Sequence, residues 1–226
     1  MKNIEWSASL RCADLGNLAA ELEAFEKAGC SELHFDVRDG RFAPGFGLGL
    51  ELLAAAKGAS GLPCDVHLMT VDPTRHVEPF AKAGCAGLTV HVEACLHAPR
   101  TLEQIRELEM ASGIAIQPAT PLMKLEYLLP FADRVLLLTQ EPGSESPTTP
   151  GAAFERVQIL RETIEYHGYP TKIQVEGGIG VSDAARLLNA GADIVVLDSP
   201  DCFGGKDTLA DLKAFMVSVE EAYETA

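Results

Sequence analysis

The chain has 226 residues, 47% hydrophobic and 23% charged, which is apolar mass enough for one large core. Its 33 acidic and 18 basic residues give a formal net charge of −15, a surface that repels nucleic acid and anionic membranes as partners. The opening MKNIEWSASL lacks the apolar stretch of a secretory leader, and no run approaches the roughly 18 residues of a membrane span.

Strand-like apolar runs follow one another at 5–10, 32–37, 64–69, 87–92, 113–117, 134–139, 172–176 and 194–198. Segments with helical spacing lie between them, at 17–28, 73–83, 101–110, 152–166 and 183–190, and a last helix over 207–223 closes the chain. The pieces KAGC, KAGC and NAGAD place a glycine just beyond a helix, where a left-handed cap prefers it, and lead into the next strand. Eight such β–α units with no Ser- or Pro-rich linker predict a (β/α)₈ TIM barrel spanning 1–226 as a single domain. A doubly wound open sheet is the alternative, but no GxGxxG follows the first strand. The six cysteines (12, 30, 64, 85, 95, 202) form no CxxC pair, and a reduced, cytoplasmic, disulfide-free protein is expected.

In a barrel of this kind chemistry collects at the C-terminal strand ends, and a period of two selects the inward residues. Strand one offers Ser7 and Ser9, strand two His34 and Asp36, and strand three His67 with Met69 one step on. Strand four offers His91 and Glu93, and strands five to eight offer Gln117, Thr139, Glu176 and Asp198. Buried polar groups cost on the order of a few kcal/mol unless paired, so a whole ring of them marks a site. His34, Asp36, His67 and Glu176 could ligate one divalent ion. Nitrogen and oxygen donors without thiolate suit Zn²⁺, Mn²⁺, Fe²⁺ or Co²⁺; the alternative is a metal-free hydrogen-bonded cluster. Asp36 and Glu176, from strands two and seven, could flank a substrate. One carboxylate would then take a proton beside a carbonyl while the other returns one to the opposite face, with the ion stabilising the enediolate between them. His91 and Glu93 read as partners that orient the imidazoles.

These residues resemble the ribulose-phosphate 3-epimerase family over nearly the whole chain. The family motifs S-I-L-S-A-D, L-H-x-D-V-M-D-G-x-F-x-P and D-V-H-L-M are matched by SLRCAD (9–14), LHFDVRDGRFAP (33–44) and DVHLM (65–69). TVHVEA (89–94), QPATPL (117–122) and VEGGI (175–179) continue the likeness. The resemblance implies a divalent metal on His34, Asp36, His67 and the seventh-strand carboxylate, and makes Asp36 and that carboxylate the acid/base pair. It further implies that Ser9 and Met69 line the substrate, and that the protein is a homo-oligomer.

Five departures stand out. The seventh-strand aspartate is Glu176, the methionine after the second-strand valine is Arg38, and the sixth-strand methionine is Leu138. The family's N-P-G-F-G-G loop reads EPGSESPTTPG (141–151), and the eighth-strand G-S, whose backbone helps hold phosphate, reads Asp198–Ser199. Arg38 could bind a carboxylate or phosphate, or pair with Glu176 or Asp198. Gly177, Gly178 and Ser199 remain, yet a carboxylate beside them weakens or relocates phosphate binding unless Asp198 turns away or is neutralised by Lys206 or Arg38. The expected function is therefore a metal-dependent epimerase of a ketose or ketose phosphate, working through an enediolate. A family member doing isomerase or lyase chemistry on the same intermediate, and a non-catalytic paralogue, are the alternatives.

Overall fold

The structure, a computed structural model, describes residues 4–144, 149–205 and 207–225. Eight parallel strands close on themselves in sequence order, which settles the choice between barrel and open sheet. They are β1 (Glu5–Ser9), β2 (Glu32–Arg38), β3 (Cys64–Met69), β4 (Gly87–His91), β5 (Ala111–Ile116), β6 (Arg134–Leu138), β7 (Lys172–Glu176) and β8 (Ile194–Leu197). Each expected strand is present. The largest shift is at β5, which starts two residues early.

The α-helices are α1 (Leu18–Ala28), α2 (Leu50–Ala59), α3 (Val77–Ala83), α4 (Ala98–Glu107), α5 (Ala152–His167), α6 (Val181–Asn189) and α7 (Thr208–Thr225). Helix α2 was not singled out by spacing, because LELLAAAKGA is small or apolar nearly all round and gives little contrast between faces. The regular eightfold alternation fails once. Between β5 and β6 the described residues form only short 3₁₀ turns at 122–124 and 129–131, in a stretch broken by Pro118, Pro121 and Pro130. The expected glycine caps are in place. Gly29 and Gly84 take left-handed φ of 97° and 83°, and their N–H groups close onto carbonyls of α1 and α3.

The two faces of the strands divide the molecule. Outward residues such as Phe35, Leu68, Val90, Ile114, Leu137 and Val175 pack under the helices in one continuous core. Trp6 belongs to it, packing edge-on to Phe215 of α7. Inside the barrel Ala115, Leu136 and Leu138 form a small apolar cluster, and most other inward side chains among the described residues are polar. The lowest layer is a charged plug. Arg134 donates to both oxygens of Glu32 at 2.8 and 3.0 Å, lies 3.0 Å from Asp65 Oδ2, and is joined by Ser7 and Gln174, which donate to Glu32 at 2.9 and 3.3 Å. The guanidinium and the His34 imidazole hold Asp65 below the usual carboxylate range in spite of its burial. Between β2 and α2 the chain folds back onto its own strand, with Gly47 N–H on Arg38 O and Leu48 N–H on Asp36 O. A Cβ at Gly47 would fall 2.3 Å from the Arg38 backbone nitrogen, so only glycine permits this return.

Candidate active site

Directly above the plug, β2, β3 and β7 bring His34, Asp36, His67 and Glu176 together, as their alternation along the strands required. Asp36 is paired in register with His67 across β2 and β3. One ligand-type atom from each of the four lies within 4.8 Å of the others, and all four residues are buried. The contacts close a ring: His34 Nε2 to Asp36 Oδ1 at 3.3 Å, Asp36 Oδ1 to His67 Nδ1 at 3.2 Å, His67 Nδ1 to Glu176 Oε2 at 3.1 Å, and Glu176 Oε2 to His34 Nε2 at 3.2 Å. The extra methylene of Glu176 therefore does not displace its oxygen from the cluster.

This ring fits a divalent ion. Ligands at about 2.1 Å from a metal stand roughly 3.0–3.4 Å from one another in octahedral or tetrahedral geometry, which brackets the four contacts. Nε2 of His34 and Oε2 of Glu176, which face each other in the ring, are buried without a satisfied hydrogen bond, as atoms reserved for another group are, while His34 Nδ1 faces Asp65 Oδ2 at 3.8 Å. Charges interlock here even without an ion. Burial opposes the charged form of His67, yet Glu176 and Asp36 lift its pKa to about 9; His34 rises well above its usual value by the same competition. Burial and the Asp36 charge work against ionisation of Glu176, but the two imidazoles bring it down to about 2.

His67 is oriented from behind. Its Nε2 lies 2.8 Å from His91 Nε2, His91 Nδ1 lies 3.1 Å from Glu93 Oε2, and Glu93 Oε1 accepts the Gln117 N–H at 2.9 Å. Burial keeps His91 neutral, its pKa lowered to about 4. A neutral imidazole has one N–H, and Glu93 claims it at Nδ1, so His91 Nε2 accepts from His67 Nε2–H. In the neutral form that metal ligation requires, His67 therefore carries its lone pair on Nδ1, facing the cluster.

Above the cluster opens a cavity of about 640 Å³, lined by Arg11, Arg38, Met69, Leu138, Gly177 and Asp198 among others. Ser9 is buried with its hydroxyl unpartnered, and Met69 is buried at the wall. Arg38 does not pair with Glu176 or Asp198 among the described residues; its Nη1 donates to Pro44 O at 3.3 Å. Asp198 does not turn away. It is buried, its Oδ1 accepts the Gly178 N–H at 2.9 Å, and its Oδ2 lies 3.9 Å from Arg11 Nη2. Burial and the nearby Glu176 raise Asp198 to about 7. Ser199 Oγ is taken up by the Asp201 N–H at 3.1 Å. Lys206, the other candidate counter-charge, lies outside the described residues.

Sequence reasoning passed over Arg11, whose Nε also stands 3.8 Å from Asp36 Oδ2. The signal was present, since Arg11 fills the leucine position of the family's S-I-L-S-A-D motif. It also passed over Phe42, whose ring centroid is 4.5 Å from that of His91 and brings the loop after β2 down over the site. Asp39 holds that loop, accepting N–H groups from Arg41, Phe42 and, from the loop after the neighbouring β3, Val71.

The sequence matches the profile of the Ribulose-phosphate 3 epimerase family over residues 5–200. The chain belongs to this family. It is 38% identical over 200 residues to the ribulose-phosphate 3-epimerase of Synechocystis, covering 88% of this chain and 87% of that protein. The enzyme of Aquifex aeolicus is 35% identical, with 93% and 96% covered. Among solved structures, the KGPDC of Streptococcus mutans superposes with a TM-score of 0.71, covering 98% of this chain and all of that one. At 13% identity this likeness concerns the fold. The expected barrel, family and enzyme class are all met, and the four-residue cluster is a group able to hold a divalent metal.

Proposed function

We propose that this barrel epimerises a ketose or ketose phosphate at the carbon beside its carbonyl, with Asp36 and Glu176 as the two acid/base groups. The observation that carries the reading is the ring of contacts in which two carboxylates from different strands alternate with two imidazoles. A divalent ion held by His34, Asp36, His67 and Glu176 supplies positive charge where enediolate oxygens develop. Asp36 takes the proton from the substrate carbon, and a protonated Glu176 returns one to the other face; in the reverse direction the roles exchange. The His67–His91–Glu93 chain keeps the His67 lone pair on the cluster side, while Ser9 and Met69 border the substrate. Zn²⁺, Mn²⁺, Fe²⁺ and Co²⁺ all suit this donor set. The six unpaired thiols favour a cytoplasmic site of action.

The test is solvent exchange. Protein reconstituted with Mn²⁺ or Zn²⁺ is incubated with ribulose, ribulose 5-phosphate and their six-carbon counterparts in deuterium oxide and followed by NMR. Deuterium should enter at the carbon beside the carbonyl as the epimer appears, and Asp36→Asn or Glu176→Gln should each abolish turnover. No exchange with any of these ketoses refutes the reading.

A further inference from the structure

Arg38 shares the inward parity of His34 and Asp36 and takes the last position of β2, about 6.6 Å beyond Asp36 along the strand. Its backbone is held on both sides, in register with Met69 of β3 and by the returning Gly47 N–H, so the side chain lines the cavity from a fixed base. Nη1 donates to Pro44 O at 3.3 Å. The edge formed by Nε and Nη2, which can grip an oxyanion with two parallel bonds, is unused. Nε is buried without a partner, and Nη2 makes no hydrogen bond among the described residues. The charges around the cavity sharpen this. Asp36, Glu141, Glu176, Asp198 and Asp201 line it, against Arg11 and Arg38. Arg11 is already divided between Asp36 Oδ2 at 3.8 Å and Asp198 Oδ2 at 3.9 Å. Arg38 makes no ion pair among the described residues, which leaves its charge for a ligand. Ser199 adds a neutral donor to the same cavity: its oxygen accepts the Asp201 N–H, and its own O–H proton is not drawn on among the described residues.

We infer that Arg38 is the cation that receives the phosphate of a ketose phosphate, and that it sets the preference for the ester over the free ketose. This rests on the epimerase reading above and selects between its two substrate forms. A phosphate dianion in a cavity with this many carboxyl groups needs a full positive charge and paired donors, and the idle Nε–Nη2 edge supplies both. The Pro44 contact at Nη1 steadies the guanidinium without using that edge. A free ketose offers the same edge only hydroxyl oxygens, which leave the guanidinium charge unpaired.

The experiment uses metal-loaded protein and two readouts. In the first, NMR exchange in deuterium oxide gives kcat and KM for D-ribulose 5-phosphate and D-ribulose. The native protein should prefer the ester. Arg38→Met should lower the ester-to-ketose ratio of kcat/KM by roughly 10–100-fold, the range for a hydrogen bond between charged groups, with most of the loss in the KM of the ester. Arg38→Lys, which keeps the charge without the fork, should recover part of it. A ratio that Arg38→Met leaves unchanged overturns the inference while the epimerase reading stands, and Arg38→Gln answers the same question if the methionine variant does not fold. In the second readout, inorganic phosphate is titrated by calorimetry into the native protein and the variant, and the variant should bind it about tenfold more weakly. Exchange with neither substrate sinks the epimerase reading itself. The calorimetric arm then decides on Arg38 alone, and equal phosphate affinity in the two proteins, absence of binding to both included, overturns its role.

Discussion

Replacing Arg134 by methionine removes the one cation of the plug beneath the active site while roughly keeping its apolar stem. Each of its three short contacts, two to Glu32 and one to Asp65, is 2.8–3.0 Å long. At an effective dielectric of 20, a pair at 3 Å is worth about 5–6 kcal/mol of Coulomb attraction, much of it offset by the cost of burying the guanidinium. What remains after deletion is Glu32 stripped of its cation and Asp65 facing only the His34 imidazole at 3.8 Å, and breaking a buried pair in this way costs roughly 3–5 kcal/mol. For a chain of this size that lowers Tm by roughly 6–20 °C. Scanning calorimetry on the metal-free proteins measures it. The loss should be larger at pH 8 than at pH 5, since an orphaned Asp65 carboxyl escapes its penalty by binding a proton. A Tm shift under 2 °C, or one equal at both pH values, refutes the assignment of Arg134 as the counter-ion.

The metal-free protein should lose stability between pH 6.5 and 9. The pKa of His67 is raised in the fold, so its contribution is complete below 6.5 and vanishes as pH climbs through about 9, an effect of roughly 3 kcal/mol. Metal uptake runs the other way, because ligating imidazoles must be neutral, and affinity should rise over the same window. A chelator-treated Tm that is flat or rising across it contradicts the contacts around His67. Glu93→Gln should weaken metal affinity by roughly 10–100-fold with little change in Tm, read by competition with a chromogenic chelator. A Glu93→Gln variant with native metal affinity would show that His91 needs no carboxylate to set its tautomer. Gly47→Ala should depress kcat more than it perturbs the core, since the added methyl pushes on the backbone of Asp36 and Arg38. An alanine variant with native kinetics would mean that the loop after β2 accommodates the methyl without moving those residues.

What was legible in the sequence divides along the two faces of the strands. The outward face is apolar on every strand save for Ser112 of β5, and the inward face carries His34, Asp36, His67 and Glu176 at fixed parity, so both the barrel and the cluster could be read from a period of two. The plug was not legible. Glu32, Asp65, Arg134 and Gln174 sit near the starts of their strands, where each alone reads as a solvent-facing flank, and only closure turns them inward. Nor was the partner of Asp198. Arg11 lies in a loop after β1 and meets Asp198, just beyond β8 and 187 positions away, a pairing set by β1 lying beside β8. The missing helix after β5 had a signal in its three prolines, but the even spacing of the strands masked it.

The fork between Arg134 and Glu32 spans 102 positions of sequence and reaches across the barrel from β6 to β2. Such a contact forms only after the intervening strands have assembled, when the entropy of closing that long loop has already been spent. The expectation is that it is absent from the folding transition state and complete in the finished barrel, a brake on opening. Losing it should leave the refolding rate nearly unchanged and speed unfolding by most of the full stability loss. The charged plug beneath the site would then govern how long each molecule survives before it opens, as well as how stable it is at equilibrium.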